Sequence, residues 1–90
     1  MNITLEKLTK PGDLSILENM ISTRIHETVD FQISLEKIDY INLANFTALI
    51  KLYVKLTRIG KNIKYINCSS EKIRFLIHKT QFHTIFSISK

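Results

Sequence analysis

The segment NLANFTALIKLYVKLTRIG, residues 42–60, has the strongest helical pattern in this 90-residue chain. Asn42 is a good N-cap residue, because its side-chain oxygen can accept a hydrogen bond from a free backbone N–H of the first turn. Gly60 is the expected stop, since glycine adopts the left-handed conformation that often ends a helix. Apolar residues recur on one side of the segment at helical spacing, namely Phe46, Leu49, Ile50, Tyr53 and Leu56. The sequence therefore predicts an amphipathic helix over 43–59.

The segments that flank this helix have the alternating pattern of strands. Residues 30–35 place Phe31, Ile33 and Leu35 on one face and polar residues on the other, and Ile63 alternates with Asn62 and Lys64 in the same way. Each pattern predicts a strand with one face on the core. A sheet of such half-polar strands is expected to have one face only partly covered by helices.

The remaining elements complete an alternating order of strands and helices. A short strand is expected within 2–8, a turn at Lys10-Pro11-Gly12-Asp13, and a helix over 15–28 that begins with a capping box formed by Ser15 and Glu18. A third helix, capped by Ser69 or Ser70, would bury Ile73, Leu76 and Ile77, and residues 84–88 would form a last strand. This order predicts an α/β layer with at least some parallel strand pairs.

Length and composition limit what the chain can be. Ninety residues suit a single domain over 1–90, and the apolar content of 44% is that of a globular protein. The single cysteine, Cys68, excludes an intramolecular disulfide and a zinc cluster of cysteines. No apolar run approaches the roughly 20 residues of a membrane-spanning helix, and residues 1–10 lack the apolar stretch of a signal peptide. We therefore expect a cytoplasmic protein without membrane insertion.

The net charge of +5 is unevenly distributed. Residues 1–50 carry four basic and seven acidic residues, a net charge of −3, whereas residues 51–90 carry nine basic residues and one acidic residue, a net charge of +8. A basic face is expected along one side of the long helix and just beyond it, formed by Lys51, Lys55, Arg58 and Lys61. Such a face either attracts an acidic partner or serves only solubility.

The order of these elements resembles the STAS family, the fold of bacterial anti-sigma factor antagonists and of the small STAS subunit of phospholipid-transport ABC complexes. The resemblance is carried by FQISL at 31–35, IDYI at 38–41, NLANFTALI at 42–50, GKNIKYIN at 60–67, IRFLI at 73–77 and QFHTIF at 81–86. It implies a single layered α/β domain with a mixed four-stranded sheet and about three helices. It also implies a protein-docking module rather than an enzyme.

The chain departs from that family at the position of its phosphorylation switch. Members usually place an Asp, a phosphorylatable Ser or Thr, a small residue and a Gly where the second helix begins, and this chain has Asn42, Leu43, Ala44 and Asn45 there. Leucine has no hydroxyl group, so this position cannot accept a phosphate. Leu43 either packs at the helix start or is an exposed contact in a docking surface. That expected surface consists of Asn42, Leu43, Ala44 and Asn45, with Thr47 one turn later.

Catalytic and metal chemistry is not expected. His26 and Glu27 are adjacent on a predicted helix and do not share a face, and His78 and His83 have no cysteine or carboxylate at ligand spacing, so neither a metal nor another cofactor is predicted. Cys68 precedes a predicted helix, which can lower a thiol pKa, but no histidine is near in sequence to act as its base. The two glycines stand alone and form no phosphate loop. We expect no catalytic residues and no small-molecule substrate.

Three functions compete at this point. The first is a regulatory module that binds an anti-sigma factor of the GHKL kinase type, constitutively because Leu43 cannot be phosphorylated. The second is a cytoplasmic subunit that braces the ATPase of a lipid-transport ABC complex. The third is a nucleic-acid-binding domain that uses the basic face. This third function is disfavoured, because most aromatic residues that could stack on bases fall on predicted core faces.

Overall fold

The chain forms three helices and a parallel sheet, in a computed structural model that describes residues 1–10, 12–82 and 85–88. Seven elements follow in the order β1 (Asn2–Thr4), α1 (Ser15–Arg24), β2 (Asp30–Ser34), α2 (Leu43–Arg58), β3 (Asn62–Cys68), α3 (Glu71–Thr80) and β4 (Phe86–Ile88). The α/β class is confirmed. Pro11, His83 and Thr84 lie outside the described residues, and with them part of the predicted turn, one histidine and the first residue of the predicted last strand.

The sheet has the strand order β1-β2-β3-β4. β1, β2 and β3 pair in continuous parallel register, with Ile3 beside Ile33 and Ile33 beside Tyr65. β4 is also parallel to β3, but pairs irregularly through Phe86 and Ile88. The prediction of a mixed sheet is therefore wrong, because all pairs of described strands are parallel. Each pair of successive strands is joined through a helix, which returns the chain to the same end of the sheet, so the next strand runs in the same direction.

The two faces of the sheet differ in burial. The row Ile3, Ile33, Tyr65 and Phe86 is buried, whereas the neighbouring row Asn2, Gln32 and Lys64 is exposed. Right-handed crossovers that always advance in the same direction place successive helices on one face of a sheet. The expectation of a partly uncovered sheet face is confirmed.

The core beneath α2 is aromatic. The Phe46 ring stacks on the Phe86 ring with centroids 5.4 Å apart, and the Phe86 ring stacks on Tyr65 at 5.0 Å. The hydroxyl of Tyr65 donates to the carbonyl of Leu49 at 2.6 Å, which satisfies this buried polar group. Burial raises the pKa of Tyr65, because the phenolate form would lose its hydration. The ring cluster fixes the long helix on the centre of the sheet.

The N-terminal helix differs from its prediction at both ends. It begins after Leu14 without a side-chain cap, and the hydroxyl of Ser15 donates instead to the carbonyl of Gly12 at 2.7 Å. The capping box is therefore absent, because a turn ahead of the helix already engages Ser15. The helix ends at Arg24 rather than at residue 28, and Val29 is 54% exposed.

Candidate functional site

The start of α2 is held in place by the segment that follows β1. The side-chain oxygen of Asn42 accepts a hydrogen bond from the backbone N–H of Asn45 at 2.8 Å, as predicted for an N-cap. The side-chain amide of Asn42 donates to the carbonyl of Thr9 at 3.0 Å, and its backbone N–H donates to Leu8 at 3.2 Å. The two bonds to Leu8 and Thr9 fasten the first turn of α2 to the segment that follows β1.

Asn45 belongs to this support and not to the expected docking surface. Its side chain is only 3% exposed, and its amide donates to the carbonyl of Leu8 at 2.8 Å and to that of Lys10 at 2.9 Å. The inclusion of Asn45 among the partner contacts is therefore wrong. A buried amide that satisfies two backbone carbonyls cannot turn outward without leaving both of them unpaired.

Leu43 points away from the core and is 67% exposed. This exposure excludes the interpretation that it packs at the helix start. Ala44 and Thr47 are exposed on the same helix, while Asn42 is half-buried by its capping role. The structure thus keeps Leu43, Ala44 and Thr47 of the expected surface accessible.

An apolar groove lies between the start of α2 and α3. It has a volume of about 590 Å³ and is lined mainly by apolar side chains, together with Glu71 and Lys72. We use the name apolar groove for the surface formed by its apolar residues Tyr40, Ile41, Leu43, Phe75 and Leu76. Phe75 is 66% exposed, almost the same as Leu43, and Tyr40 is 50% exposed. Large apolar side chains that are exposed side by side mark an interaction surface more often than isolated ones do.

Sequence reasoning did not assign Tyr40 or Phe75 to this surface. The pattern of α3 did contain one indication, because Ile73 and Ile77 are four residues apart and form its buried side. Phe75 falls midway between them and must lie on the opposite side of the helix. Tyr40 lies in a loop, where periodicity gives no indication of direction.

The basic residues are not all on one surface. Lys51, Lys55 and Arg58 are exposed on α2 and line a shallow cleft of about 320 Å³ together with Val54. Lys61 lines a separate cleft. Its inclusion in the same face is therefore wrong, and the reason is the backbone of Gly60, whose φ of +85° turns the chain away from the helix axis.

Within residues 1–10, 12–82 and 85–88, no three His, Cys, Asp or Glu side chains are grouped so that they could hold a metal ion. The helices of this part of the chain lack the length and apolar character of a membrane span. Cys68 is fully buried at the end of β3. Burial raises the pKa of its thiol from 9.0 to about 11, while the positive charge of Arg74 acts in the opposite direction. The thiolate is therefore a minor species at neutral pH, which disfavours nucleophilic chemistry at Cys68.

The buried thiol predicts a loss of stability in alkaline solution. Because the pKa of Cys68 is higher in the folded protein than in the unfolded chain, its contribution to stability is complete below pH 9 and is lost as the pH rises towards 11. The free energy of unfolding should fall in this window with a slope that approaches about 1.4 kcal/mol per pH unit. Urea unfolding at pH 8, 9 and 10 measures it. Cys68→Ala should show a shallower decline, and equal slopes in the two proteins would contradict the prediction.

No family model matches the chain, and no curated protein matches it at a significant level.

Proposed function

We propose that this protein is a STAS-type docking module that binds another protein through the apolar groove. One observation carries the proposal: Leu43, which stands where relatives of the STAS family would place a phosphorylatable residue, is 67% exposed beside Tyr40 and Phe75. The groove supports a protein partner rather than a nucleic acid, because its lining is mainly apolar and phosphate recognition requires cations. Asn42 and Asn45 act indirectly, by fixing the backbone from which Leu43 projects.

The partner class proposed is a bacterial anti-sigma factor of the GHKL kinase type, which would place the protein in the cytoplasm. Binding would occlude the partner by a complementary surface and would involve no covalent step. A hydroxyl at position 43 would allow a phosphate to add negative charge at a helix N-terminus and so to switch binding. Leucine removes this possibility, and the interaction is constitutive or set by the amount of protein.

The proposal predicts that Leu43→Asp weakens partner binding. Burying a leucine side chain at an interface is worth about 2 kcal/mol, so its loss should weaken affinity by about 30-fold or more. The measurement has two steps: capture of the partner from the native cell with identification by mass spectrometry, and then titration of the purified partner. Thermal unfolding of the variant should match that of the unmodified protein, because Leu43 makes little contact with the core.

Ile16→Asp provides the matched control. Ile16 is 68% exposed, almost the same as Leu43, but lies on α1. The Ile16→Asp substitution should leave binding of the partner unchanged. Equal effects of the two substitutions would refute docking through the groove. If the captured partner is an ATP-binding cassette protein and not a kinase, the protein is still a docking module, but its partner belongs to a transport complex and not to a signalling pathway.

A further inference from the structure

The outer face of α2 carries a further row of three apolar residues and one threonine, and its half-buried member Ile50 also packs against the core. Leu43, Thr47, Ile50 and Val54 follow one another at intervals of four, three and four residues. Val54 is 44% exposed, Thr47 is exposed, and Ile50 is half-buried. We call these four residues the outer seam. The intervals are those of a coiled-coil seam, in which the facing residues of two helices interlock.

The outer seam is narrow. At about 100° per residue, its four side chains fall within a sector of about 60° around the helix axis. A helix that lies in a lipid surface presents a much wider apolar face, whereas a narrow stripe is typical of contact with another helix. Thr47 within the stripe also suits a protein neighbour better than hydrocarbon. The geometry therefore favours a helix as the occupant.

The charge beside the outer seam indicates the chemistry of that helix. Lys51, Lys55 and Arg58 lie along one side of the seam, and α2 contains no acidic residue. The ion pairs seen in the described part of the chain, Arg24–Glu27 and Lys37–Glu6, do not involve these three cations. Acidic side chains on a facing helix would pair with them, as flanking charges do in coiled coils.

The ends of the seam are concave. At its N-terminal end Leu43 is also part of the apolar groove, and at its C-terminal end Val54 lines the shallow cleft with Ile50 and Ile59. The 16 residues of α2 span about 24 Å, enough for a facing helix of about four turns. A partner helix could therefore contact the groove and the basic side chains together.

We propose that α2 binds an amphipathic α-helix of the partner, with apolar residues at three- and four-residue spacing in the outer seam and acidic residues opposite Lys51, Lys55 and Arg58. This inference rests on the proposed docking function and names the chemistry of the docked element. It makes Val54 a contact residue, which the apolar groove alone does not.

Two synthetic peptides test the proposal. Both carry the same leucine seam and are stapled to remain helical and monomeric, one with glutamates beside the seam and the other with lysines. Fluorescence anisotropy should show that the glutamate peptide binds at least about tenfold more tightly than the lysine peptide, and that added salt reduces this difference. The double substitution Lys51→Glu and Lys55→Glu should reverse the preference. Absence of binding by the glutamate peptide, or equal binding of both peptides, would overturn the proposal.

Val54→Lys separates apolar contact from general attraction of charge. It adds a positive charge, so simple electrostatic attraction predicts tighter binding of the glutamate peptide, whereas loss of the seam predicts binding weakened by about tenfold or more. Val29→Lys is the matched control, because Val29 is also an exposed valine, at 54%, and lies outside the seam. Circular dichroism verifies folding, and Val54→Thr replaces Val54→Lys if that variant does not fold. Equal effects at positions 54 and 29 would contradict a seam contact.

Two other ligands test the alternative occupants of the basic surface. One is a vesicle that contains phosphatidylglycerol, and the other is a single-stranded oligouridylate. The proposal would be overturned if the vesicles or the oligouridylate bound more tightly than the glutamate peptide and the Val54→Lys variant still bound them. That result would identify a nonspecific basic surface. The test is independent of the groove experiment. If Leu43→Asp leaves capture of the native partner unchanged, the proposed docking function is wrong. If Leu43→Asp abolishes capture but Val54→Lys does not weaken peptide binding, the docking function stands and only the proposal of a helical partner element is wrong.

Discussion

Replacing Phe46 with alanine should lower the free energy of unfolding by about 3–5 kcal/mol. Phe46 is 2% exposed, and its ring contacts those of Phe86 and Phe82 at centroid distances of 5.4 and 6.4 Å. The substitution removes the apolar surface of the ring and leaves a cavity that the sheet and α2 cannot close completely, because both are held by their own hydrogen bonds. A chain of this length has a total stability of roughly 5–13 kcal/mol, so the loss is a large part of it.

Urea unfolding followed by circular dichroism measures this change. Phe75→Ala is the matched control, because Phe75 is the same residue type but is 66% exposed in the apolar groove. It should change stability by less than about 0.5 kcal/mol while weakening partner binding. Comparable losses in both variants would show that Phe75 is part of the core and would remove the groove from the proposed function.

Replacing Asn45 with aspartate should be about as damaging as the loss of Phe46, at about 3–5 kcal/mol. The asparagine amide donates to the carbonyls of Leu8 and Lys10 at 2.8 and 2.9 Å in a site that is 3% exposed. A carboxylate has no hydrogen to donate, so the substitution places a buried negative charge against two carbonyl oxygens. Asn45→Ala removes the donor without adding charge and should cost less, about 1–3 kcal/mol.

Ala44→Asp is the control for the helix terminus. Ala44 is exposed and immediately precedes Asn45, so a carboxylate there meets the positive end of the helix dipole in contact with water. It should be neutral or slightly stabilising. The order of stability should be Ala44→Asp, then Asn45→Ala, then Asn45→Asp, as measured by urea unfolding. If Asn45→Asp is no worse than Ala44→Asp, the amide does not hold the segment at residues 8–10.

The contrast between Asn45 and Leu43 shows why the candidate surface could be predicted only in part. Both were expected to contact a partner, yet the asparagine is buried and the leucine is exposed. The groups that bury Asn45 belong to residues 8–10, 35 or more positions away, and nothing within α2 indicates their approach. Phe75 and Tyr40 reach the same groove from separate segments for the same kind of reason.

Local patterns in the chain were sufficient for the α/β class, for α2 between its Asn42 cap and Gly60, and for the three cations on its outer side, because helical periodicity and capping depend on neighbours within a few residues. They were not sufficient for the parallel direction of every described strand pair, the burial of Asn45, the separation of Lys61 or the formation of the apolar groove. These features arise from contacts between segments that are distant in sequence, and whether a side chain is covered or exposed depends on which distant segment packs beside it.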